Sequence, residues 1–175
     1  MSDNLLENNR GFLGSAEVSE TPKIPRMGLA VISCMDARLT RLLPEALGIR
    51  DGDAAMIRNS GASIRDPYGD TMHSVLIAVY ELGVTEIAVI GHTDCGARKV
   101  TADGMREHMR ARGIDETAIE AADLDGWLNG LAGPEDEVMS TVRLISEHPL
   151  IPADVVMRGY VFDTHSGRLT AIGAS

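Results

Sequence analysis

The chain has 175 residues, of which 44% are hydrophobic and 3% aromatic, and its formal net charge is −10. That length suits one domain with a sizeable core, while the acidic balance argues against a general nucleic-acid binder, which needs a field that attracts phosphates. The lone Trp127 and few other rings argue against stacking platforms for bases or sugars, so any ligand is expected to be small.

The first residues, MSDNLLENNRG, lack the basic start and long apolar run of a signal peptide, and no later segment reaches membrane-spanning length. A soluble cytoplasmic protein without membrane contact is expected. Residues 1–27 read as an arm and linker, with a short apolar pattern from Leu5 to Leu13 and an extended stretch GSAEVSETPKIP. Residues 28–175 read as one α/β domain, the part of the chain that carries the candidate site residues.

Ala30 to Cys34 is a short β-branched apolar run, the pattern of a strand buried on both faces. Leu39 to Leu47 is expected to be partly helical, with Pro44 opening or interrupting the helix and Gly48 stopping it. A second strand is expected at Ala54 to Arg58. From Asp70, the spacing of Met72, Val75, Val79 and Leu82 predicts a crossover helix closed near Gly83.

Glu86 to Gly91 reads as a third buried strand that delivers the chain to His92 and Cys95. Thr101 to Gly133 is polar and predicts two modest helices. Pro134 followed by Glu135, Asp136 and Glu137 starts a helix that runs to about Glu147. A strand at Val155 to Phe162, a turn over Asp163 to Gly167 and a last strand at Arg168 to Ile172 complete the pattern. The fold class is therefore α/β: a mostly parallel sheet flanked by helices, with an antiparallel C-terminal edge strand and an N-terminal helical arm.

Cys34 and Cys95 are the only cysteines. In a reducing compartment they read as buried thiols or as ligands rather than as a disulfide. His92-Thr-Asp-Cys95 leaves a strand and turns at Gly96, so its two donors can reach one point, and Cys34 can supply a third from the neighbouring strand. Mixed sulfur and nitrogen donors favour zinc, and three protein ligands with an open fourth place describe a catalytic site. His73, His108, His148 and His165 read as surface or locally bonded residues.

In Cys-Met-Asp-Ala-Arg, alternate positions of an extended segment would put Cys34, Asp36 and Arg38 on one face. Arg38 can then clamp Asp36 and keep it ionised and aimed at water on the metal. The alternative is an ordinary local ion pair. Gly96 is a candidate backbone donor to substrate, and Ala62 and Val89 are candidate walls of an apolar pocket.

At CMDAR (34–38), IRNSG (57–61) and GHTDCG (91–96) the sequence resembles the β-class carbonic anhydrases, in particular the compact archaeal and bacterial branch. The likeness continues through LLENNR, HPLIP and GYVFDTHSGRL. It implies zinc at Cys34, His92 and Cys95, a catalytic Asp36–Arg38 dyad, and a homodimer or assembly of dimers across which the arm packs. The implied reaction is reversible hydration of carbon dioxide to bicarbonate and a proton by zinc-bound hydroxide. Carbonyl sulfide or carbon disulfide hydrolysis on the same scaffold, and a non-catalytic zinc module, are the alternatives. The chain has no glutamine, so the substrate-positioning glutamine of the plant-type branch has no counterpart, and Ser60 stands where alanine is common.

Overall fold

The computed structural model describes residues 2–13, 21–128 and 133–173. Much of the linker expected after Leu13 lies outside the described residues. Helix α1 spans Ser2–Leu13, and strands β1 (Leu29–Cys34), β2 (Ala54–Asn59), β3 (Glu86–His92), β4 (Val156–Phe162) and β5 (Leu169–Ile172) form one sheet. Their order is β2-β1-β3-β4-β5, parallel throughout except for the β4–β5 pair. The mostly parallel α/β architecture read from the sequence is the one observed.

Burial explains the strand sequences. β1 and β3 are almost wholly buried and consist largely of Val, Ile and Ala, as expected for strands covered on both faces. On one face Ala30, Ile32 and Val89 pack with Met72 and Val75 of α3 (Asp70–Tyr80) and with Val138 and Ile145 of α7 (Pro134–Ser146). On the other, Val31, Ala88, Ile90 and Phe162 meet Leu39 and Leu43 of α2 (Leu39–Leu47). The β1–α2–β2 crossover leads to one side of β1, whereas α3 carries the chain back to β3 on the other. The ends of β1 and β3 thus flank the switch point, where open α/β sheets place ligands.

Three details differ from the sequence reading. Helix α2 runs through Pro44 without opening or breaking there, because buried Leu39 and Leu43 hold it to the sheet; Gly48, at φ 67°, ends it. Leu82 lies beyond α3, in a closing turn where Val84 N–H donates to Ala78 O. Among the described residues between Thr101 and Gly133 there are three helices instead of two: α4 (Ala102–Ala111), α5 (Glu116–Ala121) and α6 (Leu124–Leu128). Asp115 caps Thr117 N–H and Asp123 accepts from Gly126 N–H, so two carboxylates begin helices too short to show a period.

Helix α7 sits close to the sheet because two glycines leave room for Val138. A Cβ on Gly91 would lie 2.8 Å from Val138 Cγ2 and 3.3 Å from Pro134 O; one on Gly159 would lie 2.9 Å from Val138 Cγ1. Gly91→Ala should therefore lower the unfolding free energy by about 1–3 kcal/mol through overpacking. Urea denaturation checks this, and combining it with Val138→Ala should cost less than the two separate losses together.

Candidate metal centre

Cys34 ends β1 and His92 ends β3, so the sheet carries two donors to one place. Cys95 follows after a turn in which Asp94 takes φ 50°. The donor atoms of Cys34, His92 and Cys95 all lie within 4.8 Å of one another, and all three residues are buried. The sulfurs are 3.7 Å apart and both thiols are free. A disulfide needs about 2.05 Å, whereas two sulfurs on one tetrahedral zinc ion, at ~2.3 Å each, stand about 3.8 Å apart.

His92 fits the same ion. Its Nδ1 lies 2.8 Å from Thr93 O, a carbonyl that can only accept, so Nδ1 carries the proton and Nε2 presents a lone pair. Nε2 is buried without a hydrogen-bond partner, an arrangement that costs about 1–3 kcal/mol unless something binds there. Thr93 is itself held, because its Oγ1 accepts from Thr164 N–H at 3.1 Å and its N–H donates to Phe162 O.

The thiols differ in acidity. Burial pushes the Cys34 thiol up, but the adjoining His92 and backbone groups of Asp36 and Gly61 outweigh it and bring it down to about 7; the Gly61 amide lies 3.4 Å from Sγ. Burial, and then the charge on Cys34, push Cys95 up. Two neighbouring thiolates require a cation between them.

Asp36 and Arg38 meet as the sequence suggests, but not through strand alternation. The chain bends after Met35: Leu39 N–H donates to Asp36 O, and Arg38 has helical backbone angles at the start of α2. Within this turn Arg38 Nε and Nη2 donate to Asp36 Oδ1 and Oδ2 at 3.0 and 2.8 Å, and the Arg38 amide donates to Oδ1 at 2.9 Å. The Arg38 bonds hold the Asp36 carboxyl down to about 2. Asp36 Oδ2 lies 3.9 Å from His92 Nε2, so the clamped carboxylate faces the donor cluster.

Several supporting residues carried no role in the sequence reading. Arg58 donates to Cys34 O, Asp36 O and Thr40 Oγ1, fastening the bend after β1. Asn59 accepts from Ser63 N–H and donates to Ser63 O, closing the Ser60–Ala62 loop whose Gly61 amide reaches Cys34. Ser63 donates to the Glu137 carboxylate, which ties this loop to α7. Asp94 contacts Arg38 from the opposite loop. A charged Arg58 directly after the apolar run Ala54 to Ile57 was the available signal.

A cavity of about 650 Å³ opens at the cluster, lined by Cys34, Met35, Asp36, Ala37, Ser60, Gly96, Ala97, Val100, Met105 and Leu128. Gly96 is thus on its wall, but the suggested Ala62 and Val89 are not. Val89 packs with Ile32 on the opposite sheet face, and Ala62 is fully buried beneath the loop. His73, His108 and His165 are exposed, while His148 is buried and accepts from Leu150 N–H; none joins the cluster.

Residues 29–169 match the carbonic anhydrase family. The Bacillus subtilis (strain 168) protein YtiB is 40% identical over 177 residues, covering 97% of this chain and 95% of that protein. The crystal structure of β-carbonic anhydrase isoform I from Trichomonas vaginalis superposes with a TM-score of 0.93 at 31% identity, covering 98% and 97% of the two chains. A carbon disulfide hydrolase of Acidianus sp. (strain A1-3) is 30% identical over 158 residues, 81% of this chain and 75% of that one. From the parallel sheet, the donors at its switch point and these likenesses together, the chain is an enzyme of the β-carbonic anhydrase family.

Proposed function

We propose that the enzyme reversibly hydrates carbon dioxide to bicarbonate and a proton, with one zinc ion held by Cys34, His92 and Cys95. The observation that carries this reading is the buried, unpartnered His92 Nε2 beside two free sulfurs and a clamped carboxylate. When bound, zinc supplies Lewis acidity that brings the pKa of a ligated water from 15.7 towards neutrality, less far here because two thiolates offset its charge.

The protein's part is orientation. Hydrogen bonds from Arg38 hold the Asp36 carboxyl ionised at neutral pH, so Asp36 acts as a fixed acceptor that aims the attacking water. Arg38 fixes Asp36, and Thr93 O fixes the His92 ring. Met35, Val100, Met105 and Leu128 offer a neutral, linear substrate apolar walls, and the Gly96 amide is the donor proposed for the developing oxyanion.

The similarity to the Acidianus hydrolase supports a second reading, in which the same site hydrolyses carbon disulfide or carbonyl sulfide; the apolar cavity suits either. Assays on all three substrates should show carbon dioxide turned over fastest. A zinc-loaded protein inert to all three would mark a non-catalytic zinc module. Metal analysis should give one zinc per chain, and Cys95→Ala should lose it; full occupancy in that variant would refute the ligand set.

Arg38→Ala should retain zinc while losing most of the turnover, since the ligands stay and the carboxylate loses its clamp. Its metal-free form provides a pH test. Because Asp36 is lowered from 3.8 to about 2, the clamp contributes stability that is present above 3.8 and lost as pH falls towards 2. Thermal melts of the variant across that window should fall less steeply than those of the parent chain.

The reading extends to a cytoplasmic homodimer or assembly of dimers, with 1–27 as an arm packed across a second copy of the 28–175 catalytic domain. Supporting it, Leu5, Leu6, Phe12 and Leu13 of α1 are 74%, 61%, 52% and 68% exposed within one chain, and an isolated 12-residue helix is marginal in water. Deleting residues 1–13 should lower the number of copies per particle found by light scattering; an unchanged number would count against packing of the arm across a second copy.

A further inference from the structure

Arg38 and Asp36 belong to the same bend, so their mutual bonds fix each to the other but do not fix the pair relative to His92 and Cys95. The contacts that cross to the second loop come from Asp94. Arg38 Nη2 donates to Asp94 O at 2.9 Å, and Nη1 donates to Asp94 Oδ2 at 3.3 Å. The other carboxylate oxygen of Asp94 takes Lys99 Nζ at 2.7 Å. Lys99, Asp94, Arg38 and Asp36 thus form a row of alternating charge that ends beside the donor cluster.

Asp94 stands between two of the metal-site residues, His92 and Cys95, and its φ of 50° turns both its carbonyl and its carboxylate towards the guanidinium. Aspartate enters this region more readily than most residues. The Arg38 and Asp94 side chains are 42% and 47% exposed. A surface pair of that kind adds little to stability, whereas a long guanidinium held from one side only is free to carry Asp36 out of line.

We propose that Asp94 is a positioning residue: by gripping Arg38 from the His92–Cys95 loop, it registers the Asp36 carboxylate against the metal site. Asp94 acts through Arg38 and does not itself touch substrate. The inference rests on the zinc-dependent reading above.

The test uses Asp94→Gly, which tolerates the same backbone and keeps the carbonyl while removing the carboxylate, together with Arg38→Ala and the double variant. Each is prepared with zinc and with cobalt(II). Asp94→Gly should keep its metal and nearly its melting temperature, yet lose about 10- to 100-fold in kcat with little change in KM, the scale of a small misplacement. Its cobalt(II) visible spectrum should shift in the same direction as that of Arg38→Ala, because Asp36 is released in both. The double variant should be no slower than Arg38→Ala alone. Asp94→Asn, also tolerant of the backbone but uncharged, should show the same direction should glycine loosen the turn.

Parent-like kcat and cobalt spectra in both Asp94 variants, or losses that multiply in the double variant, would overturn the proposal. The cobalt spectrum needs no substrate. Failure of the parent chain to hydrate carbon dioxide would therefore sink the hydration reading, while the spectra still decide the positioning role.

Discussion

Cys34 and Cys95 place two sulfurs 3.7 Å apart in the protein interior, and their charges cannot coexist there without a cation. That constraint orders the rest of the site. His92 turns its protonated nitrogen to Thr93 O and leaves Nε2 facing the sulfurs, while no lysine or arginine takes the cation's place among the described contacts of Sγ. Two sulfurs and one imidazole lone pair facing one point are a donor set that would suit a divalent ion with a preference for sulfur and nitrogen.

Holding such a centre open requires its two loops to stay in register. Parallel pairing of β1 with β3 aligns the ends of the strands. Just beyond them Met35 N–H still donates to Asn59 O and Thr93 N–H to Phe162 O, and side chains then take over: Arg58 braces the bend at Cys34 to Asp36, Asn59 closes the Ser60–Ala62 loop, and Thr93 is tied to Thr164. Such partners of a metal site affect its performance nearly as much as the ligands do, because they set direction and basicity. Their polar bonds also repay the desolvation that a buried loop imposes on its backbone.

The lining of the cavity is both polar and apolar. Cys34 and Asp36 line it beside the donor cluster, while Val100 just ahead of α4, Met105 of α4 and Leu128 of α6 supply apolar wall. At about 650 Å³ the cavity exceeds what a triatomic molecule fills, so under the proposed function selection among small apolar molecules rests on Asp36 and the donor cluster more than on a tight fit.

How much was visible beforehand depended on the range of the interaction. The buried strands announced themselves through unbroken β-branched runs, and the donors through residue chemistry: Cys34 ends one run, and His92 and Cys95 follow another. The Asp36–Arg38 pair was also legible, because its partners are two residues apart, although the bend that joins them was mistaken for extended chain. The short helices α5 and α6 were not, since helices of 6 and 5 residues carry too few turns for a period to emerge. Nor were the walls of the cavity: Val89 and Ala62 looked suitable by proximity in sequence, but strand pairing turned Val89 to the opposite face and packing buried Ala62. The sequence by itself determined the donor set and the α/β pattern, because both are written in local residue type and spacing. Only the tertiary structure decided that Arg58, Ser63 and Asp94 brace the site, because each acts on a partner from another segment, and such contacts exist only once the sheet has brought those segments together.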